Sequence, residues 1–75
     1  MQSGELLQLA IGDREINLTQ VLKLSGAIES GGVAKLAIAE GQVRVNGVIE
    51  ERKRRKMAVG DTVAIEGVCT IELIA

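Results

Sequence analysis

Arg52-Lys53-Arg54-Arg55-Lys56 puts five cations on five consecutive positions. Adjacent like charges repel one another and add nothing to a fold, so such a run reads as a surface for a polyanion. The bland alternative is a solvated loop, or an edge strand kept from aggregating. On a nucleic acid each neutralised phosphate releases about 0.9 counterion, so several such side chains would make binding steeply salt-dependent. The formal net charge of the 75 residues is only −1. With five of the nine basic groups in the run and ten acidic groups outside it, the remainder carries −6. The protein is acidic with one concentrated basic segment, and that asymmetry points at a partner.

A second candidate is Ser30-Gly31-Gly32, which reads as the start of a helix. Ser30 is a good N-cap, and two glycines leave the backbone N–H groups at the positive end of the helix open to an anion. Each glycine costs a helix about 1 kcal/mol relative to alanine, so the pair calls for a reason. Lys35 follows one turn later, and Arg44 points away from the face that Val43 and Val45 would bury. Lys23 is a weaker candidate, more simply read as a surface charge. Glu50-Glu51 directly precedes the basic run and is expected to pair with part of it.

Other chemistries are excluded by composition. The chain has no His and one Cys, so a zinc site or a His-activated nucleophile cannot be built. It has no Phe, Tyr or Trp, so it cannot stack single-stranded bases on aromatic rings. No pair of acidic residues has catalytic spacing, and neither a cofactor nor a metal is expected. Cys69 alternates with apolar residues and reads as a buried small hydrophobe. No apolar run approaches the roughly 18 residues of a membrane span, and no secretory signal opens the chain, so a cytoplasmic protein without membrane contact is expected.

The elements that must hold these groups follow from periodicity and punctuation. The chain is 47% apolar and long enough for one small core. Residues 1–4 read as a frayed terminus. Leu7, Leu9 and Ile11 alternate as in a strand, Gly12-Asp13 offers a turn, and Glu15-Ile16-Asn17 could return as a short second strand. Thr19 is expected to cap a first helix ending near Ser25, with Val21, Leu22 and Leu24 inward and Gly26 where it stops. A second helix runs from Ser30 to a terminal Gly41. Val33, Leu36, Ala37 and Glu40 share a face at helical spacing, and Ala34 and Ile38 widen the buried part of it.

After Gly41 the period changes to two. Val43 and Val45 lead into Asn46-Gly47, the strongest short hairpin signal, and Val48-Ile49 begins the return strand. Gly60-Asp61 and Glu66-Gly67 punctuate two further strands, Thr62–Ile65 and Cys69–Ile74. The expected fold is α+β: two packed short helices followed by a small antiparallel sheet, with an extra N-terminal strand or hairpin.

The segment from Ser30 to Gly47, SGGVAKLAIAEGQVRVNG, resembles the core motif of the RNA-binding domain named after ribosomal protein S-four, the αL motif. The shared pattern is a serine cap, a helix, a glycine, then a strand ending in Val-Asn-Gly. Leu18 to Gly26 and Val59-Gly60-Asp61-Thr62-Val63 also stand where that family has its first helix and a Pro-Gly-Asp-type turn, so the likeness covers about residues 18–66. More narrowly, Leu-Lys-Leu, Glu-Ser-Gly, Ala-Ile-Ala-Glu-Gly-Gln-Val and Glu-x-Arg-Lys-Arg resemble the small single-domain bacterial proteins of the YbcJ/YaaA type. The resemblance implies that residues 1–75 form one S-four-like domain. It implies binding of structured RNA, ribosomal or transfer RNA, with the ribosome itself a candidate partner. Carried over residue by residue, the helix position falls on Lys35, the strand position on Arg44, and the loop on Arg52, Lys53, Arg54, Arg55 and Lys56. Gly31 stands where the family usually has Arg, and Ala39 where it often has a basic residue, which shifts weight onto the loop.

The leading expectation is therefore a monomeric, non-enzymatic module that reads RNA by backbone and shape. The alternative is a protein–protein adaptor on the same fold, docking an acidic partner on its basic segment.

Overall fold

A computed structural model describes residues 5–75; the expectation for residues 1–4 lies outside the described residues. In chain order the elements are β1 (Glu5–Ala10), β2 (Ile16–Asn17), α1 (Leu18–Leu24), α2 (Gly31–Ala39), β3 (Val43–Val45), β4 (Val48–Ile49), β5 (Lys56–Met57), β6 (Thr62–Ile65) and β7 (Cys69–Ile74). The fold is α+β, as expected. Two packed helices cover one face of a five-stranded sheet of order β1-β7-β6-β3-β4.

The sheet is mixed rather than wholly antiparallel, because β1 lies parallel to β7 with Leu7 opposite Ile71 and Leu9 opposite Leu73. The N-terminal element is a strand and not a hairpin. Ile16 and Asn17 do not return along β1 but pair with Met57 and Lys56 of β5 in a separate antiparallel ladder. Parallel neighbours need a long crossover, and here almost the whole domain lies between the two paired strands.

The cap of helix α1 lies two residues before the expected one. Asn17 is the N-cap: its Oδ1 accepts from the Gln20 N–H at 2.9 Å, and Gln20 Oε1 accepts from the Asn17 N–H at 2.9 Å. This reciprocal capping box satisfies two donors that a helix start leaves orphaned. Thr19 has another task, described below. Leu18 takes an inward place with Val21 and Leu22, while Leu24 is exposed.

Helix α2 is bounded as expected. Ser30 Oγ accepts from the Val33 N–H at 3.2 Å. Gly41 closes the other end at φ +75°, with its N–H donating to Ile38 O and the Gln42 N–H donating to Ala37 O, both at 3.1 Å. That left-handed residue is the one a Schellman stop requires, and glycine adopts it without strain. The buried stripe differs from expectation. Ala34, Ala37 and Ile38 face the core, and Val33 and Leu36 are 54% and 56% exposed. Both sets have helical spacing. In a helix whose one charged residue is Lys35, periodicity cannot choose between them; the small Ala34 and Ala37 let α2 lie close against α1.

The core is a single cluster. Leu18, Val21 and Leu22 of α1 and Ala34, Ala37 and Ile38 of α2 meet Val43, Val45, Val63, Ile65, Cys69, Ile71 and Leu73 of the sheet. Cys69 is buried, and burial pushes its thiol pKa up. At the hairpin between β3 and β4, Asn46 and Gly47 have φ +53° and +87°, the pair of positive values a type I′ turn needs. Among the described residues no helix is long and apolar enough to cross a membrane.

Candidate nucleic-acid interface

The basic run is a loop up to Arg55, and only Lys56 enters a strand. Its shape is set by one carboxylate and by the start of α1. The Glu50 N–H donates to Val43 O at 3.0 Å, which ends the hairpin. The Glu50 carboxylate then accepts from the backbone N–H of Arg52 at 3.0 Å, from its Nε at 2.8 Å and from its Nη2 at 3.3 Å. Arg55 Nε lies 3.2 Å from the other carboxylate oxygen. Hydrogen bonding to Arg52 is the main cause that holds the Glu50 carboxyl below the usual carboxylate range. The same contact raises the pKa of the Arg52 guanidinium.

The loop backbone turns back on itself, with the Arg55 N–H donating to Arg52 O at 3.1 Å, and docks on the start of α1. The Leu18 N–H donates to Arg55 O at 2.9 Å, the Thr19 N–H to Lys53 O at 3.2 Å, and the Thr19 hydroxyl to Lys53 O at 2.8 Å. A helix start needs acceptors and a loop carbonyl needs donors, so each element satisfies the other. Thr19 thus tethers the loop instead of capping its own helix.

This scaffold sorts the five cations. Arg52 and Arg55 are engaged by Glu50, and Arg55 Nη1 also lies 3.7 Å from Asp61. Lys53 and Arg54 sit at the turn, exposed, with no anionic partner for their side chains among the described residues. Lys56 approaches Glu15 at 3.7 Å, both side chains being open to water, a pairing of little strength.

The structure brings Lys35 to the loop. Lys35, Ile38 and Ala39 of α2 form one wall of a groove whose other wall is Glu51, Arg52, Lys53 and Arg54. Arg54 also borders a second, neighbouring groove with Asn17, Gln20 and Lys56. Ser30, Gly31 and Gly32 do not line either groove; they stand at the open end of α2, one turn before Lys35. Among the described residues a Cβ at Gly31 or Gly32 would meet nothing within 4 Å, so packing against them does not require glycine there. Arg44 is exposed between the buried Val43 and Val45. It therefore lies on the sheet face away from the helices, in a shallow depression with Gly41, Gln42, Ala64 and Glu66.

By sequence, Thr19 has the role of a helix cap and nothing chooses between Glu50 and Glu51 as the partner of the basic run; in the fold Thr19 tethers the loop instead, and Glu50 is the one that pairs. The spacing Asn17-x-x-Gln20 was a readable capping signal.

Comparison with known proteins fits this geometry. The sequence pattern of the S4 domain matches residues 9–72. The chain is 54% identical over 52 residues to YbcJ of Escherichia coli (strain K12), whose name assigns it RNA binding provisionally; the match covers 69% of this chain and 74% of that protein. It is 41% identical over 66 residues to RlbA of Bacillus subtilis (strain 168), named provisionally for ribosome maturation, covering 88% and 93% of the two chains. The solution structure of YbcJ from E. coli, described as having an αL motif involved in RNA binding, superposes with a TM-score of 0.65. That superposition, at 41% identity, covers 100% of this chain and 92% of the other.

Proposed function

This chain belongs to the S4 domain family, and on that premise we propose that it is a non-enzymatic protein that binds structured RNA through backbone and shape. The observation that carries the reading is the groove in which Lys35 faces Arg52, Lys53 and Arg54. An A-form helix hides its bases in a deep, narrow groove and displays phosphates and 2′-hydroxyls, so fixed cations without aromatic platforms suit it better than they suit single strands.

Lys35, Arg52, Lys53 and Arg54 contact phosphates at this groove, and Lys56 extends the contact on the far side of Arg54. Ser30, Gly31 and Gly32 offer backbone donors at the open end of α2. Arg55 acts through the loop, and Arg44, on the sheet face away from the helices, lines a separate depression. The YbcJ and RlbA names support RNA of the ribosome as the first class to test, with transfer RNA as the second. Residues 1–75 act as one domain and as a monomer in the cytoplasm.

Gel shifts at fixed salt test the reading. A hairpin-rich ribosomal RNA fragment is expected to bind more tightly than poly-U. Equal affinity for the two would refute recognition by shape, and no binding to either would leave the adaptor reading in its place.

A further inference from the structure

Two adjacent carboxylates stand at the edge of the groove in opposite relations to it. Glu50 is largely shielded from water, its side chain 12% exposed; it accepts hydrogen bonds from Arg52 on both oxygens and forms an ion pair with Arg55 through one of them. Glu51 is exposed, lines the groove beside Lys53 and Arg54, and has no cation paired with it among the described residues. A charge count treats the two alike, because each subtracts one from a surface meant for phosphate.

We propose that Glu50 is a positioning residue of the RNA site, whose negative charge increases RNA affinity, while that of Glu51 decreases it. The inference rests on the RNA-binding reading above and goes beyond it by giving opposite signs to two neighbouring carboxylates. Glu50 acts through the loop. It fixes the backbone at Arg52, orients the Arg52 guanidinium along the groove wall, and draws Arg55 inward toward Asp61. With Arg52 and Arg55 held, the turn between them presents Lys53 and Arg54 outward, while Thr19 pins the carbonyl of Lys53 from the other side. Without the carboxylate, five adjacent cations repel, and the loop must be ordered anew each time RNA binds. Ordering each long side chain at an interface is a recognised loss of affinity. Glu51 orders nothing and only repels phosphate.

The experiment compares Glu50→Gln and Glu51→Gln, two substitutions that change the charge equally at neighbouring positions. Both are measured against the unaltered protein on the same hairpin-rich ribosomal RNA fragment, over a series of salt concentrations and well below the melting temperature. Glu51→Gln is expected to bind about two- to threefold more tightly, as for removal of one exposed repulsive charge. Glu50→Gln is expected to bind about three- to tenfold more weakly, with a shallower salt dependence as ordered phosphate contacts are lost. A purely structural role for Glu50 would lower the melting temperature and leave the salt slope of the folded protein unchanged.

If Glu50→Gln does not fold, Arg52→Lys carries the test. It keeps the charge but breaks the two-point bond to Glu50, and a similar loss is expected. Equal or tighter binding by folded Glu50→Gln, or by Arg52→Lys where that is used, overturns the positioning role while leaving RNA binding intact. Failure of the unaltered protein to bind any RNA overturns the function on which the role rests, and the role with it.

Discussion

Asn46 and Asp61, fifteen residues apart, hold the hairpin tip against the turn that opens β6. Asn46 Nδ2 donates to Asp61 Oδ1 at 3.1 Å, and Asn46 Oδ1 accepts from the Thr62 N–H at 3.0 Å. The other Asp61 oxygen accepts from the Ala58 N–H at 2.9 Å and faces Arg55 at 3.7 Å. One carboxylate therefore connects the hairpin, the turn and the basic loop. The Val-Asn-Gly and Gly-Asp signatures are coupled because their side chains meet.

Asp61→Ala removes the acceptor of the Asn46 amide and of the Ala58 N–H, both exposed, and is expected to cost about 0.5–1.5 kcal/mol per hydrogen bond at most. In a domain of this size that lowers the melting temperature by about 4–8 °C per kcal/mol. Circular dichroism melts check it; an unchanged melting point would show that water replaces the contact freely.

The two apolar stripes of α2 should respond differently. Ile38 is 1% exposed, and Ile38→Ala is expected to cost about 2–5 kcal/mol. Leu36→Ser, on the exposed stripe, is expected to fall within about 0.5 kcal/mol of the parent. Urea denaturation of both variants measures the difference directly. A larger loss from Leu36→Ser would mean that the stripe is covered by a second copy of the protein in solution.

Lys53→Ala with Arg54→Ala is expected to weaken binding to every structured RNA and to lower the salt slope by roughly 1.4–1.8, that is, 0.7–0.9 for each of two contacts. Neither side chain is paired among the described residues, so the melting temperature should not move. Arg44→Ala, on the opposite face of the sheet, should change neither quantity. Affinity titrations at several salt concentrations separate the three proteins.

Acid should loosen the loop through Glu50. Its folded pKa is depressed, so the stability it contributes is complete above the ordinary carboxylate range and is lost as pH falls through the lowered value. Carbon-detected NMR titration should give Glu50 a low midpoint that rises in Arg52→Ala, because hydrogen bonding to Arg52 is the main cause of the depression. A midpoint unaffected by Arg52→Ala would contradict that cause.

Gly31→Ala with Gly32→Ala separates packing from binding. Open space around both positions means the helix should gain up to about 1 kcal/mol per substitution. If the open end of α2 meets phosphate, the more stable protein should bind RNA less tightly, which parallel melts and gel shifts would reveal.

Sequence alone determined whatever rests on local chemistry. Ser30 and Gly41 bound α2 because cap and stop geometry depend on a few adjacent residues, and Asn46-Gly47 makes the hairpin because both positions need positive φ. The basic run is visible as charge in any conformation. Tertiary structure decided what depends on residues distant in the chain. The pairing of β1 with β7 joins the two ends of the domain, and nothing in Glu5–Ala10 specifies a parallel neighbour. Thr19 bonds to Lys53 across 34 positions, so its hydroxyl looked available for a cap that Asn17 in fact provides. In a helix with a single charged residue, the buried face was chosen by the close approach of α1. The five cations, equal in the sequence, became unequal only when Glu50 folded against two of them and left Lys53 and Arg54 facing the groove beside Lys35.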